Sequence, residues 1–326
     1  MLCRTFFAAL ALALPVAMRA AVPDVIIDED GGIDDLVAIA LVMRSPEVHV
    51  RAITICPADS YLEPATRATQ LFADQLGGRN ITIARGHSEG THPFPAQWRK
   101  DAGRVLGIPA LAGALPGTVN PIVPEDAAHH LAKLLSRGPV YTILETGPLT
   151  NIADALRIDP SIKQHVRRIF VMGGAVRVSG NVAQTGRDGS AEWNIFNQAQ
   201  AAADVIGSGI PITLIPLDAT NRVPLTGPFL DRLAAQPSVA SQLAAQSWRL
   251  VAAQPGTVQY YFWDTLTAAA LLDPSVIKTE PLKIRVITDG ASEGRTIEDP
   301  NGSPVDVALD ARREKVERMF LKLLGK

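Results

Sequence analysis

From Val25 onward, short apolar runs alternate with longer stretches of helical period, and that alternation leaves few architectures open. Strands are expected at 25–27, 48–55, 81–83, 140–144, 169–172 and 212–215, and helices at 33–43, 64–76, 125–136, 149–156 and 198–206. Strands interleaved with helices pair in parallel and carry helices on both faces, because each crossover must return over the sheet. After Pro224 the pattern turns helical, returns to strands at 283–287 and 305–309, and closes on an amphipathic helix at 312–324. No repeat, low-complexity tract or linker interrupts it. The expectation is one α/β domain around an open, mostly parallel sheet. With 47% hydrophobic and 20% charged residues, the chain can fill a large core and is not a disordered one. Its 31 basic and 33 acidic side chains leave a formal charge of −2, so no basic field recruits nucleic acid or anionic lipid.

The first residues follow a different logic. Arg4 precedes an apolar stretch from Phe6 to Met18, and the small residues Ala20 and Ala21 follow. A basic start, an apolar centre and a small-residue end describe a secretory signal peptide over 1–21, with an approximate cut, leaving 22–326 as the functional domain. The apolar run is shorter than the ~20 residues of a membrane-spanning helix. The expected destination is periplasmic or secreted. Removing the leader would remove Cys3 and leave Cys56, so neither a disulfide framework nor a cysteine-based metal centre is expected.

In open parallel sheets, ligands bind outside the carboxyl ends of the strands. Those positions are polar here: Asp28-Glu29-Asp30 after the first strand, Asp59 after the second and Thr146 after the fourth. Gly173-Gly174 follow the fifth, and Asp218 and Asn221 the sixth. Residues 28–35 carry five carboxylates and no basic residue. A helix cap accounts for one or two acids, each worth ~0.3–1 kcal/mol against the helix dipole. Five acids at the mouth of an apolar strand repel one another unless a cation sits among them. Oxygen-only ligands suit a hard ion such as Ca²⁺ or Mg²⁺, and Gly31-Gly32 let Asp30 and Asp35 converge on it.

The stretch from Val25 to Asp35 resembles the amino-terminal D-x-D-x-G-x-D-D signature of the nucleoside hydrolases, the inosine–uridine-preferring superfamily. Further segments match in order: Glu145-Thr146-Gly147-Pro148-Leu149-Thr150-Asn151-Ile152-Ala153, Val171-Met172-Gly173-Gly174, Gly180-Asn181, Ala191-Glu192-Trp193-Asn194 and Trp263-Asp264. The resemblance spans the mature chain. It implies a Rossmann-like nucleoside hydrolase fold and a Ca²⁺ held by Asp30, Asp35, Asp264 and the main-chain carbonyl of Thr146. Asp30 would be the general base toward water attacking C1′ of a ribonucleoside. Asp34, Asn194 and Asp264 would hold ring hydroxyls, Asn181 and Glu192 the 5′ side, and Met172 would line the sugar pocket. Taken singly, Asn181 and Asn194 read as loop residues, Glu192 as a solvated charge, Met172 as core and Asp264 as a helix cap; the ordered set carries the reading. A homo-oligomer, dimer or tetramer, is implied by resemblance alone.

Two departures resemble the purine-specific inosine–adenosine–guanosine branch. Trp263 stands where the inosine–uridine branch commonly has a histidine, and Trp98 lies in Pro93-Phe94-Pro95-Ala96-Gln97-Trp98-Arg99. Two indoles stacked on a base gaining positive charge would stabilise it, and Asp59 would orient the base or a water near N7. The expected activity is Ca²⁺-dependent hydrolysis of purine ribonucleosides to base and ribose. Alternatives are a broad-specificity ribonucleoside hydrolase, a hydrolase of modified ribosyl compounds, and an exported nucleoside-binding protein without catalysis. Asp28-x-Asp30-Gly31 also resembles the nucleophile loop of haloacid-dehalogenase-like phosphatases, which leaves Asn181, Glu192 and Asn194 unexplained.

Overall fold

The structure, a computed structural model, describes residues 22–114, 119–252 and 259–326; the expected signal peptide lies outside them. Among the described residues ten strands form one sheet: β1 (Asp24–Glu29), β2 (His49–Ile55), β3 (Thr82–Arg85), β4 (Ile122–Asp126), β5 (Tyr141–Glu145), β6 (Val166–Met172), β7 (Ile212–Ile215), β8 (Ile277–Val286), β9 (Thr296–Glu298) and β10 (Ser303–Ala311). Their spatial order is β4-β3-β2-β1-β5-β6-β7-β10-β8-β9. The first seven and β10 run parallel, while β8 is antiparallel to both β10 and β9. This is the single α/β domain expected.

Along β1 successive side chains enter opposite cores. Val25 and Ile27 join the cluster that includes helices Ile33–Met43, Leu62–Gln75, Val239–Ala252, Trp263–Leu272 and Arg313–Leu324. Ile26 joins the other, with Ala127–Leu135, Thr150–Ile158 and Ala199–Ile206. Period-two alternation between two apolar faces explains why the strand reads as an unbroken apolar run. At ~1.5–3 kcal/mol for each large apolar side chain buried, such doubly covered strands anchor the domain. Helix Ile33–Met43 is buried from Ile33 through Val42, so its first-turn acids are held in the interior as well.

Two strands, β4 and the short β9, were not among those expected. Residues 122–126 form β4, and the following helix starts at Ala127, two residues later than expected, capped by the Asp126 side chain accepting from His129 N. Pro124 obscures this strand in the sequence, and it is tolerated because β4 lies at the sheet edge. With β4 counted, Thr146 follows the fifth strand, Gly173-Gly174 the sixth and Asp218 the seventh.

Strand order reverses direction at β1: β2, β3 and β4 extend one way, β5, β6 and β7 the other. The crevice between the carboxyl ends of β1 and β5 is therefore the switch point where a ligand is expected. Asp30 and Thr146 each follow directly on one of those two strands.

Candidate active site

The β1–helix turn is built around two glycines with different duties. Gly31 has φ +86°, a left-handed conformation that L-residues other than glycine avoid. Gly32 is extended and donates its N–H to Asp35 Oδ2 at 2.8 Å. A Cβ on Gly32 would lie 2.6 Å from Asp59 Oδ2, 2.8 Å from Asp35 Oδ2 and 3.2 Å from Asp34 Oδ1. Three carboxylates thus converge on a position that only glycine leaves open. From the neighbouring helix Trp263–Leu272, Asp264 completes a tighter set: carboxylate oxygens of Asp34, Asp35 and Asp264 all lie within 4.8 Å of one another.

The expected ligand set is only partly reproduced by this trio. Asp35 and Asp264 belong to it, joined by Asp34, which is expected on the sugar. Asp30 lies alongside: its carboxyl hydrogen-bonds that of Asp35, and its Oδ2 accepts Asp59 N at 3.3 Å. Thr146 donates its hydroxyl to Asp35 Oδ1 at 2.5 Å, while its carbonyl, the expected ligand atom, accepts Asn194 Nδ2 at 2.9 Å. One lone pair of that carbonyl is left over.

Electrostatics follow from burial. Asp30, Asp34, Asp35 and Asp264 are all buried, and among the described residues none is ion-paired to a basic side chain. Burial, then the charges of Asp35 and Asp59, pushes Asp30 well above the ordinary carboxylate range. Burial, then Asp34, pushes Asp35 up to about 7. Burial, then Asp34 and Asp35, raises Asp264 well above its usual value. Buried acids that repel one another and lack a cationic partner are the donor chemistry of a hard divalent ion. The residues present fit such an ion.

The expected sugar side gathers around β6. Met172 is buried at its end, and Asn194 Nδ2 reaches Met172 O at 3.2 Å and Sδ at 3.4 Å. Glu192 caps the short helix Trp193–Asn197: Oε1 accepts Asn194 N at 3.0 Å and Oε2 accepts Ile195 N at 3.3 Å. The same Oε2 accepts Gly174 N at 2.9 Å, tying the helix to the loop after β6. Burial pushes Glu192 up to about 7 against these N–H donors, so it is not a solvated charge. Asn181 Oδ1 accepts Trp193 N at 3.1 Å. Asn181 and Glu192 thus hold the backbone of this loop together.

The two tryptophans belong to separate aromatic groups. Trp98 is 40% exposed and meets Trp193 edge-on at 5.5 Å and Phe94 at 6.2 Å. Trp263 meets Tyr260 at 4.5 Å and packs with Met172, Ala175 and Leu217. Trp263 Nε1 and Asp59 Oδ1 are buried without a hydrogen-bond partner among the described residues.

Sequence reasoning missed the support from Tyr260, and marked Asp28 and Asp218 only as polar strand-end positions without their partners. Tyr260 donates its hydroxyl to Asp34 Oδ1 at 2.7 Å, and only its place in the aromatic run before Asp264 hinted at it. Asp28 accepts Thr54 Oγ1 at 2.7 Å and Asn151 Nδ2 at 2.8 Å, and pairs with the Glu145 carboxyl, whose Oε1 accepts Gly147 N at 3.0 Å. Asp218 accepts Val176 N at 2.9 Å and Arg177 N at 2.8 Å, clamping the loop after β6.

Residues 25–318 match the family described as inosine-uridine preferring nucleoside hydrolase. The chain belongs to that family. A non-specific ribonucleoside hydrolase RihC of Escherichia coli O157:H7 is 32% identical over 313 residues, covering 92% of this chain and 98% of the relative. A probable uridine nucleosidase 1 of Oryza sativa subsp. japonica is 29% identical over 282 residues, covering 84% of each. Among solved structures, the inosine-uridine preferring nucleoside hydrolase from Bacillus anthracis superposes with a TM-score of 0.87 at 35% identity, over 93% of this chain and 99% of that one. The acidic switch point is therefore the candidate active site of a nucleoside hydrolase.

Proposed function

We propose that this nucleoside hydrolase cleaves the N-glycosidic bond of purine ribonucleosides, releasing free base and ribose, with Ca²⁺ at the acidic cluster. The observation that carries the reading is the convergence of Asp34, Asp35 and Asp264, buried and without a basic partner among the described residues, beside Asp30 at the sheet's switch point. Asp30, Asp35, Asp264 and the Thr146 carbonyl would hold the ion, with Asp34 at its edge. Bound there, Ca²⁺ would supply Lewis-acid polarisation of a water and of the sugar hydroxyls. Asp30, once a carboxylate, accepts the proton of the attacking water as C1′ takes on oxocarbenium character. Asp34, held by Tyr260, and Asn194, held against Thr146 and Met172, orient the ring hydroxyls. Asn181 and Glu192 take the 5′ side. Fixing each hydroxyl before reaction uses remote binding energy to lower the barrier.

The purine preference rests on Trp98, Trp263 and Asp59. An indole face favours a base as it gains positive charge, so the contact strengthens toward the transition state. A broad substrate range is the second reading, favoured by the RihC relative being named non-specific. The leader-like segment 1–21 supports an exported enzyme, and the family resemblance supports a homo-oligomer. The deciding assay is base release from inosine, adenosine, guanosine, uridine and cytidine, before and after chelation of calcium. Faster cleavage of the three purines, lost on chelation and restored by Ca²⁺, is expected. Equal kcat/KM for inosine and uridine removes the purine preference and keeps the hydrolase.

A further inference from the structure

Glu29 has no part in the reaction described above, yet it is fully buried at the end of β1, next to Asp30. Its two oxygens have different partners. Oε2 accepts the Gly31 N–H at 2.6 Å, and Oε1 accepts the Thr69 hydroxyl from helix Leu62–Gln75 at 2.7 Å. Gly31 is the left-handed residue of the acidic turn, and it sits tightly against that same helix and the loop before it. A Cβ there would lie 2.5 Å from Ala65 Cβ and 2.8 Å from Ser60 Cβ. The Ser60 N–H in turn donates to Asp30 O at 2.9 Å. The next residue, Gly32, aims its N–H at Asp35 Oδ2. A chain of direct contacts thus runs from Thr69 through Glu29 and Gly31 to the carboxylates of the cluster.

Glu29 is fully buried, and among the described residues no basic side chain is ion-paired to it, so its place needs a reason. A fold needing only an acceptor for one N–H could use a neutral side chain. The two oxygens of the Glu29 carboxyl group serve both donors at once, one each.

We propose that Glu29 is a positioning residue for the cation loop: bridging Thr69 and the Gly31 N–H, it holds the left-handed turn that sets Asp30 and Asp35 in register for a divalent ion. The proposal rests on the reading of the acidic cluster as a Ca²⁺ site. Groups that orient metal ligands commonly govern affinity by 10–100-fold.

The test measures the Ca²⁺ dissociation constant by calorimetry on chelator-stripped full-length protein, alongside melting temperature without calcium. Glu29→Gln is expected to weaken Ca²⁺ binding by roughly 10–100-fold. Thr69→Val, which keeps the Glu29 charge, should weaken it by about 5-fold, and Thr69→Ser should restore wild-type binding. A role in fold stability alone would lower the melting temperature of the stripped variants and leave the dissociation constant unchanged, which overturns the proposal. Weaker binding in Glu29→Gln with wild-type binding in Thr69→Val also overturns it, because the effect is then one of charge. Should Glu29→Gln fail to fold, the Thr69 pair decides. Absence of Ca²⁺ binding by the wild-type protein is a separate failure, that of the calcium site itself.

Discussion

Gly32→Ala is the substitution that best separates the site from the fold. Gly32 lies at φ −64° and ψ 167°, a conformation alanine adopts freely, so the backbone carries no strain from the change. The added methyl would meet Asp59 Oδ2 at 2.6 Å and Asp35 Oδ2 at 2.8 Å. Bringing both out to ordinary contact moves those oxygens by about 0.8 and 0.6 Å, and Asp34 Oδ1 by less. These are carboxylate ends, which can swing, so the turn survives while the converging oxygens are spread. Misplacing reacting groups by an ångström costs on the order of 10²-fold in rate. The expected result is a kcat/KM for inosine reduced about 100-fold at saturating Ca²⁺, with weaker Ca²⁺ binding. The calcium-free melting temperature should stay within about 2 °C of wild type, as for a substitution that leaves the fold intact. Gly31→Ala is the control in the opposite sense, because its φ of +86° and the 2.5 Å approach to Ala65 Cβ make it a stability lesion. Steady-state kinetics, calorimetry and thermal melts on the two variants read the contrast directly. Wild-type kcat/KM and Ca²⁺ affinity in Gly32→Ala would refute the idea that these carboxylates form one cation cradle.

Other outcomes follow from the same geometry. Asp30→Ala should lower kcat by about 10²–10⁴-fold while retaining nucleoside binding, seen by equilibrium titration; near-normal turnover would remove Asp30 as the base. Trp98→Ala and Trp263→Ala should each lower kcat/KM for inosine by roughly 2- to 30-fold and for uridine by less, from ~0.5–2 kcal/mol per stacking contact. Equal losses on both substrates would argue against a base contact. Calcium-free stability should fall as pH rises from about 4 to 7. Asp35 is raised from 3.8 to about 7, so the folded protein retains a proton that the unfolded chain releases, at about 1.4 kcal/mol per pH unit. Because cation binding favours the deprotonated acids, the melting-temperature gain on adding Ca²⁺ should be larger at pH 8 than at pH 5. A gain that is constant, or larger at pH 5, contradicts that linkage.

Much of the architecture was legible because hydrophobic period is a local property. Helices Ile33–Met43 and strand β7 match their expected limits, and the polar strand ends pointed to the carboxyl edge of the sheet. The edge strand β4 escaped because Pro124 and two acids break its apolar pattern, and only its place beside β3 makes it a strand. Glu192 shows the same limit at the site. Alone in sequence it resembles a solvated charge, yet folding wraps three backbone N–H groups around it.

What the amino-acid order determined by itself was the alternation of strand and helix, the crowding of five acids after β1 and the ordered motifs that carry the family resemblance. Those follow from side-chain type and spacing along the chain. Which acids stand together was decided only in three dimensions, by bringing Asp264 and Tyr260 across more than two hundred residues to Asp34 and by placing Asp34 in the trio with Asp30 beside it. The physical reason is that electrostatic repulsion and hydrogen bonding act through space over a few ångströms, and linear spacing does not encode which distant elements the packed core will press together.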